Sequence, residues 1–460
     1  MPSQHEAELG RLFGTNGIRG IPGKDLLPDT VVKVSSAVVK RLGKKVAVGR
    51  DGRLSSDMLS DLVVSSLLSN GADVFDLGML PTPAFQYRVS RSNFDAGIMI
   101  TASHNPPEFN GLKVMGANGV EVPRQIEDEL EELIFSMKGF QNSQEIGQIT
   151  GITGAIDRYI DGILEQVGKS GSGRRFRVVV DAGNGMQALA APKLLEKLGC
   201  EVKCINCNVD GSFPGRGPEP VPSKLSELAA EVSKGYDLGV AFDGDGDRSV
   251  FCDEKGNIIT GDVSGALISR YLLETRGRNK IVTTIATSSI ADWAVESTSS
   301  LLIRTRVGSV DVTERMIKED AIAGFEENGG FFFKPHQPVR DGAMTLALMI
   351  SALDHYREPF SKLLESMPIY YQQKGKLQCP NELKYRMIEL VADAADEGKH
   401  DRTDGLKIMF DDGSWVLIRA SGTEPLIRIF AESRTQSRTE ELYKKYIKIV
   451  QSLVERSTQK

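Results

Sequence analysis

Short apolar runs alternate with stretches of helical periodicity through most of the chain, and the alternation repeats. Lys45–Val48 reads as a strand that turns at Gly49–Asp51, followed by a helical stretch Ser56–Leu68, the pair Asn70-Gly71 and a second strand around Val74-Phe75. Arg177–Gly183 restarts the pattern, which continues with a helix Gln187–Leu198, Gly199 and a strand Val202–Ile205. Lys280–Thr284 restarts it again, with a helix Ile290–Glu296 and a strand Leu301–Arg304. Strand, glycine- or serine-rich loop, helix, strand is the βαβ signature of a parallel, doubly wound sheet, so the pattern predicts three similar α/β domains in series. Beyond about residue 370 the pattern changes. Gly405–Phe410 and Ser414–Ile418 flank Asp411-Asp412-Gly413 as a hairpin, and a strand follows at Leu426–Phe430. A closing helix starts near Ser437, with Glu440 placed for a capping box and Leu442, Tyr446, Ile449, Val450 and Leu453 on one face. This is a small appended α+β domain. Arg124–Met137 reads as an amphipathic helix through Ile126, Leu130, Leu133 and Ile134, with a solvated acidic face.

Composition narrows the function classes. The 460 residues suit three or four domains, and 40% hydrophobic with 26% charged residues describes an ordinary globular protein. A net charge of -6, from 56 basic and 62 acidic residues, argues against nucleic-acid or membrane-surface partners. No apolar run is long enough to span a bilayer and no secretory signal opens the chain, so a cytoplasmic location is expected. Five cysteines suit a reducing compartment. Cys204 and Cys207, near Cys200, form a lone C-x-x-C within a strand and read as structural.

The candidate chemistry begins at Asp243-Gly244-Asp245-Gly246-Asp247-Arg248, after the buried-strand pattern Leu238–Phe242. Three crowded carboxylates call for a counter-charge, and an oxygen-only ligand set points to Mg²⁺. Alternate residues of an extended segment point one way, so Asp243, Asp245 and Asp247 can converge, with the glycines allowing the bend. An EF-hand is rejected: Glu254 fits its twelfth position, but Arg248 stands where its glycine belongs, and Ser249–Cys252 reads as a strand. A phosphatase with Asp243 as nucleophile and Asp245 as acid is a rival, and a solvated hairpin turn is a lesser one. Ser103, in Thr101–Pro106, follows the apolar run Ala96–Ile100 and so sits at a strand's C-terminal end, where open α/β sheets bind ligands. Without a G-x-S-x-G elbow it is no triad serine. It is either a polar turn before Pro106-Pro107 or, as serine or phosphoserine, a ligand to the same cation. Arg419–Pro425 with Arg428 offers amides, hydroxyls and guanidinium groups for a phosphate, or is a tight charged turn. In Gly324–Gly330, Glu326, Glu327 and Asn328 suit vicinal sugar hydroxyls or an ordinary solvated loop.

TASHNP, DGDGDR, GFEENGG and RASGTEP, in this order and at these separations, resemble the four signature loops of the α-D-phosphohexomutases. Phe13–Gly20 resembles that family's opening motif, and Asp210–Pro214 with Pro218-Glu219-Pro220 matches a further stretch, so the resemblance covers nearly the whole chain. It implies three similar mixed-sheet α/β domains in series plus a C-terminal α+β domain around a central cleft. The expected divisions are 1–153 with the phosphoserine loop, 154–255 with the metal loop, 256–369 with the sugar loop and 370–460 with the phosphate loop. It implies that Ser103 carries the transferable phosphate and that one Mg²⁺ per chain sits between this phosphate and Asp243, Asp245 and Asp247. Arg248 is expected to contact the phosphoserine or the sugar. Arg19 and Lys113 match positions for proton transfer and charge stabilisation, and His104 lies beside the chemistry. Glu326 and Asn328 are expected to grip sugar hydroxyls, and Arg419, Ser421, Gly422, Thr423 and Arg428 to hold the phosphate that is not reacting. A sugar 1,6-bisphosphate is implied as intermediate and activator, turning end for end while the last domain swings on a hinge near residue 370.

Many members carry Ser at the position of Asn328 and His at that of Gly330, which moves the expected proton transfer towards Lys113 and Arg19. The Glu-Glu-Asn-Gly-Gly form resembles archaeal-type phosphoglucosamine mutases and their phosphomannomutase/phosphoglucomutase relatives. The favoured reaction is therefore glucosamine 6-phosphate to glucosamine 1-phosphate, with a dual-specificity phosphomannomutase/phosphoglucomutase as the alternative. A Mg²⁺-dependent phosphatase and a non-catalytic sugar-phosphate-binding paralogue are the readings from other classes.

Overall fold

The computed structural model describes residues 12–14, 16–137, 143–168, 174–395, 397–421 and 424–458. Three of its sheets repeat one arrangement. In the first, strand Lys45–Arg50 lies between Asp73–Met79 and Ala96–Ile100, parallel to both. In the second, Arg177–Asp181 lies likewise between Glu201–Ile205 and Leu238–Phe242, and in the third Lys280–Thr284 lies between Leu301–Thr305 and Ala323–Phe325. Each parallel triplet then gains an antiparallel neighbour: Asn110–Gly116, Ser249–Asp253 or Phe331–Phe333. The sheets are therefore mixed rather than purely parallel. The cause is connection length, since a parallel return needs a long crossover and a short loop allows only a hairpin.

That shared hairpin places the chemistry. Residues 101–109, 243–248 and 326–330 are the three links between the third parallel strand and its antiparallel neighbour. They occupy one topological position in three copies, at the carboxyl ends of parallel strands. The C-terminal domain is different: an antiparallel sheet of Tyr371–Gln378, Leu426–Ser433, Trp415–Ala420, Leu406–Met409 and Lys399–Asp401, in that order.

Local chemistry explains several departures from the sequence reading. The stretch 187–198 is split into a 3-10 turn, Met186–Leu189, and an α-helix, Ala191–Lys197, because Pro192 starts a new helix in its first turn. The closing helix runs Gln436–Thr458, and Thr435 Oγ1 accepts from Arg438 N (3.4 Å) at its start. Glu440 bonds the Gln436 side chain (3.0 Å) instead of forming a capping box. Strand Tyr371–Gln378 was not anticipated. It is mostly polar and lies at a sheet edge, yet it pairs along its whole length with Leu426–Ser433.

The largest apolar cluster runs through the first three domains without a break, joining Phe85 and Met99 to Val178, Val240 and Phe242 and on to Phe325 and Leu346. The C-terminal domain has its own cluster, including Met387, Ile418, Ile429, Tyr446 and Val450. A small seam of Ile285, Ala286, Trp415 and Leu417 joins it to the third domain. Among the described residues, no helix is long and apolar enough to cross a membrane.

Candidate active site

The 243–248 loop is a tight turn, not an extended segment. Gly246 N donates to Asp243 O (3.1 Å), and Gly246 adopts φ +79°, a left-handed value that favours glycine. The three carboxylates converge because the chain turns around Asp243. Asp243 Oδ1 accepts from the amides of Gly246 and Arg248, both at 3.1 Å. Asp243 Oδ2 accepts from Ser103 Oγ (2.8 Å) and Arg248 Nε (3.0 Å). Asp245 Oδ2 accepts from Thr82 Oγ1 (2.7 Å) and Lys113 Nζ (2.8 Å), and Asp247 Oδ2 from Arg340 Nη2 (2.7 Å) and Lys113 Nζ (3.2 Å). One oxygen of each of these last two groups, Asp245 Oδ1 and Asp247 Oδ1, is buried with no hydrogen-bond partner.

Carboxylate oxygens of the three aspartates lie within 4.8 Å of one another, in the only group of three or more His, Cys, Asp or Glu side chains with metal-ligand spacing among the described residues. Buried, converging oxygens, two of them without a hydrogen bond, fit a hard divalent cation such as Mg²⁺. Burial, together with the like charges of Asp247 and Asp245, pushes the Asp243 carboxyl up to about 6 despite Arg248. Asp245 is buried equally, yet Lys113 and Thr82 hold its carboxyl below the usual range.

Ser103 stands at φ +50°, uncommon for a residue with a side chain. Its loop is held by a residue the sequence reading did not single out. The buried Arg53 guanidinium donates to the carbonyls of Ser103 (2.8 Å), Asn105 (2.7 Å), Pro106 (2.7 Å) and Phe109 (2.9 Å), and through Nε to Asp51 (3.1 Å). Phe213 of the second domain packs against the same guanidinium, 5.1 Å from carbon to ring centroid. A Cβ on Gly244 would lie 2.5 Å from the Ser103 carbonyl oxygen, so this glycine permits the serine and metal loops to touch. His104 Nδ1 is 3.3 Å from Ser103 Oγ. The positive charge of Arg248, then burial, Arg19 and Arg340, pushes its imidazole well below the ordinary histidine range and keeps it neutral. Arg19 reaches the same loop through Asn105 Oδ1 (2.6 Å).

The third loop is sewn to the second. Ser249 N donates to Gly329 O (3.1 Å), and Arg248 and Gly330 form an isolated antiparallel bridge. Asn328 Oδ1 accepts from Gly330 N (3.0 Å), which stiffens the turn. Burial pushes the Glu326 carboxyl up to about 7, against the pull of Arg340, whose Nη1 lies 3.6 Å away. In the fourth loop, Arg419 pairs with Asp404, Ser421 Oγ accepts from Glu424 N (3.2 Å), and Arg428 pairs with Glu424 (3.0 Å). These bonds run within the C-terminal domain. Lys384 Nζ, also absent from the sequence reading, secures the loop through the carbonyls of Ser421 (2.6 Å) and Glu424 (3.1 Å). Gly422 and Thr423, and Thr15 of the opening motif, lie outside the described residues.

The chain matches four family descriptions in order: phosphoglucomutase/phosphomannomutase alpha/beta/alpha domains I, II and III over residues 10–139, 157–256 and 260–370, and the C-terminal domain over 376–448. It belongs to the phosphoglucomutase/phosphomannomutase family. It is an enzyme of the phosphohexomutase class, an isomerase. The phosphoglucomutase/phosphomannomutase of Thermococcus kodakarensis is 41% identical over 454 residues, covering 96% of this chain and 99% of that one. The phosphoglucosamine/phosphogalactosamine mutase of Sulfurisphaera tokodaii is 40% identical over 458 residues, covering 96% and 100%. A crystal structure of a family protein from Burkholderia thailandensis superposes with a TM-score of 0.85 at 27% identity, covering 96% of this chain and 97% of that one.

Proposed function

We propose that this enzyme interconverts hexose 6-phosphates and hexose 1-phosphates through a phosphoserine at Ser103, with glucosamine phosphate as the preferred substrate. The observation that carries the mechanism is the 2.8 Å contact of Ser103 Oγ with Asp243, inside the buried three-aspartate cluster. One Mg²⁺ per chain, held by Asp243, Asp245, Asp247 and the serine phosphate, would supply positive charge to the phosphoryl oxygens. The Ser103 O–P bond breaks as a free sugar hydroxyl bonds to phosphorus, and the proton lost by that hydroxyl is balanced by one gained at the Ser103 oxygen, giving a sugar 1,6-bisphosphate and a free serine. After the bisphosphate turns, its other phosphoryl group returns to Ser103, leaving the isomeric monophosphate. Arg248 Nη2 is buried without a hydrogen-bond partner among the described residues, which suits a donor to phosphate. Arg19 and Lys113 offset charge as transfer proceeds, and neutral His104 lies beside the reacting oxygen. Glu326 and Asn328 hold sugar hydroxyls. Arg419, Ser421, Gly422, Thr423 and Arg428 hold the distal phosphate.

The divisions at 1–153, 154–255, 256–369 and 370–460 belong to the same proposal, each giving one loop. The C-terminal domain's separate core and small seam support a swing about residue 370. A sugar bisphosphate is expected to slow proteolysis at that hinge, and identical cleavage with and without it counts against the swing.

Glucosamine phosphate is favoured by the Glu-Glu-Asn-Gly-Gly loop and by the substrate named for the Sulfurisphaera relative. Glucose and mannose phosphates are the second choice, from the Thermococcus relative. Assays of glucosamine, glucose and mannose 6-phosphates side by side, primed with a sugar 1,6-bisphosphate, decide between them. The highest kcat/KM is expected for glucosamine 6-phosphate, and a tenfold preference for another sugar reverses the assignment. Intact mass should place one phosphate on Ser103. A phosphate trapped on Asp243 instead would make the protein a phosphatase.

A further inference from the structure

Arg340 lies at the end of strand Gln337–Arg340, paired with Phe332 in the sheet of the third domain. The next residue, Asp341, caps the buried helix Gly342–Tyr356 by accepting from Met344 N (2.9 Å), so the backbone beneath Arg340 is fixed on both sides. Its side chain is almost fully buried and crosses to the second domain. Nη2 donates to Asp247 Oδ2 at 2.7 Å, and Nη1 lies 3.6 Å from Glu326 Oε2. One planar group thus spans a proposed metal ligand and a proposed sugar ligand.

Gly330 explains how the stem gets there. A Cβ at this position would lie 2.6 Å from Arg340 Cδ, 3.1 Å from its Cγ and 3.1 Å from Glu326 Oε2. Gly330 is not among the glycines at positive φ, so backbone conformation does not demand a glycine here. The space does. The atom it would strike is mid-stem, in a side chain whose head is pinned between two carboxylates, so relief would have to come from moving the head.

We propose that Arg340 is a positioning residue that sets the distance between the metal-binding aspartates and the sugar-gripping Glu326, and that Gly330 is kept bare to admit it. This rests on the phosphohexomutase mechanism above. The guanidinium hydrogen-bonds Asp247 and stands 3.6 Å from Glu326 Oε2 as an ion pair, so one planar charged group faces both carboxylates at once. The carboxylate oxygens left for a cation on Asp247 and for hydroxyls on Glu326 then move together.

The test uses the full-length protein with Arg340→Met, which keeps the stem and removes the charge, Arg340→Lys, Arg340→Ala, Gly330→Ala and Gly330→Ala/Arg340→Ala. Mg²⁺ is titrated into metal-free protein by calorimetry, and kcat and KM for the hexose 6-phosphate are measured with a melting curve for each variant. Arg340→Met is expected to weaken Mg²⁺ binding by about tenfold or more, the scale seen when a metal ligand's outer partner is lost, and to raise KM. Arg340→Lys should recover most of the Mg²⁺ affinity and little of KM. Gly330→Ala should resemble Arg340→Met, and its effect should disappear when position 340 is already alanine.

Unchanged or tighter Mg²⁺ binding in Arg340→Met would overturn the proposal, since lost charge alone favours the cation, as would loss of melting temperature alone. A Gly330→Ala protein that binds Mg²⁺ and turns over like the parent would refute the space argument. If the parent itself lacks mutase turnover, the function assignment fails, and the calorimetric comparison still decides the coupling of Arg340 to the metal site.

Discussion

Replacing Ser103 with alanine is expected to lower mutase turnover by about 10⁵-fold or more, the scale of removing a covalent nucleophile. The fold should survive. The substitution deletes the hydrogen bond to Asp243 and the 3.3 Å contact with His104, and the Asp243 carboxylate keeps Arg248 and two backbone amides. A loss of about 0.5–1.5 kcal/mol follows, visible as a small shift in melting temperature. The phosphate on intact mass should vanish, while binding of hexose monophosphate, measured by calorimetry, should stay within a few-fold of the parent. Ser103→Gly should be as inactive and more stable than Ser103→Ala, since glycine relieves the φ of +50°. Turnover comparable to the parent in either variant would remove Ser103 from the mechanism.

Replacing Lys113 with methionine is expected to give the largest loss of stability. Lys113 is 1% exposed, and its Nζ lies 2.8 Å from Asp245, 3.2 Å from Asp247 and 3.9 Å from Glu121. Without it, among the described residues Asp245 keeps only the Thr82 hydroxyl as a hydrogen-bonding side chain, and Asp247 keeps Arg340 and, at 3.9 Å, Arg248. Removing one partner of a buried ion pair destabilises by about 3–5 kcal/mol. Burial alone would lower the Lys113 pKa, yet Asp245, Asp247 and Glu121 raise it above the ordinary lysine value. A lysine whose folded pKa is raised contributes fully below its unfolded pKa and loses the contribution only as pH climbs through the folded value. The deficit should therefore be complete at neutral pH. Mg²⁺ binds the folded state and supplies the missing charge, so it should raise the melting temperature more in Lys113→Met than in the parent. Equal Mg²⁺ shifts in both proteins would show that lysine and cation do not share the carboxylates.

The parts of this site visible in the sequence were those with local signals. The three aspartates announce a metal site by crowding, and Ser103 announces a strand end by the apolar run before it. The three βαβ copies were visible through their periodicity, and the edge strand Tyr371–Gln378 was hidden by its polar composition. Arg53, Arg340 and Thr82 had no such signal. Arg53 acts on carbonyls 50–56 residues away, Arg340 on an aspartate 93 residues away and Thr82 on one 163 residues away. No spacing rule along the chain reports such pairs. The aspartates do converge, though through a turn around Asp243 and not by strand alternation.

Because the first three loops occupy one topological position in three sheets of like arrangement, the site is modular as well as shared. Copies of a single strand–loop–strand hairpin, packed around one continuous apolar cluster, can diverge in their loops without disturbing the sheets that carry them. The proposed nucleophile, metal and sugar loops can then differ from one another, one corner at a time, on a common arrangement of strands.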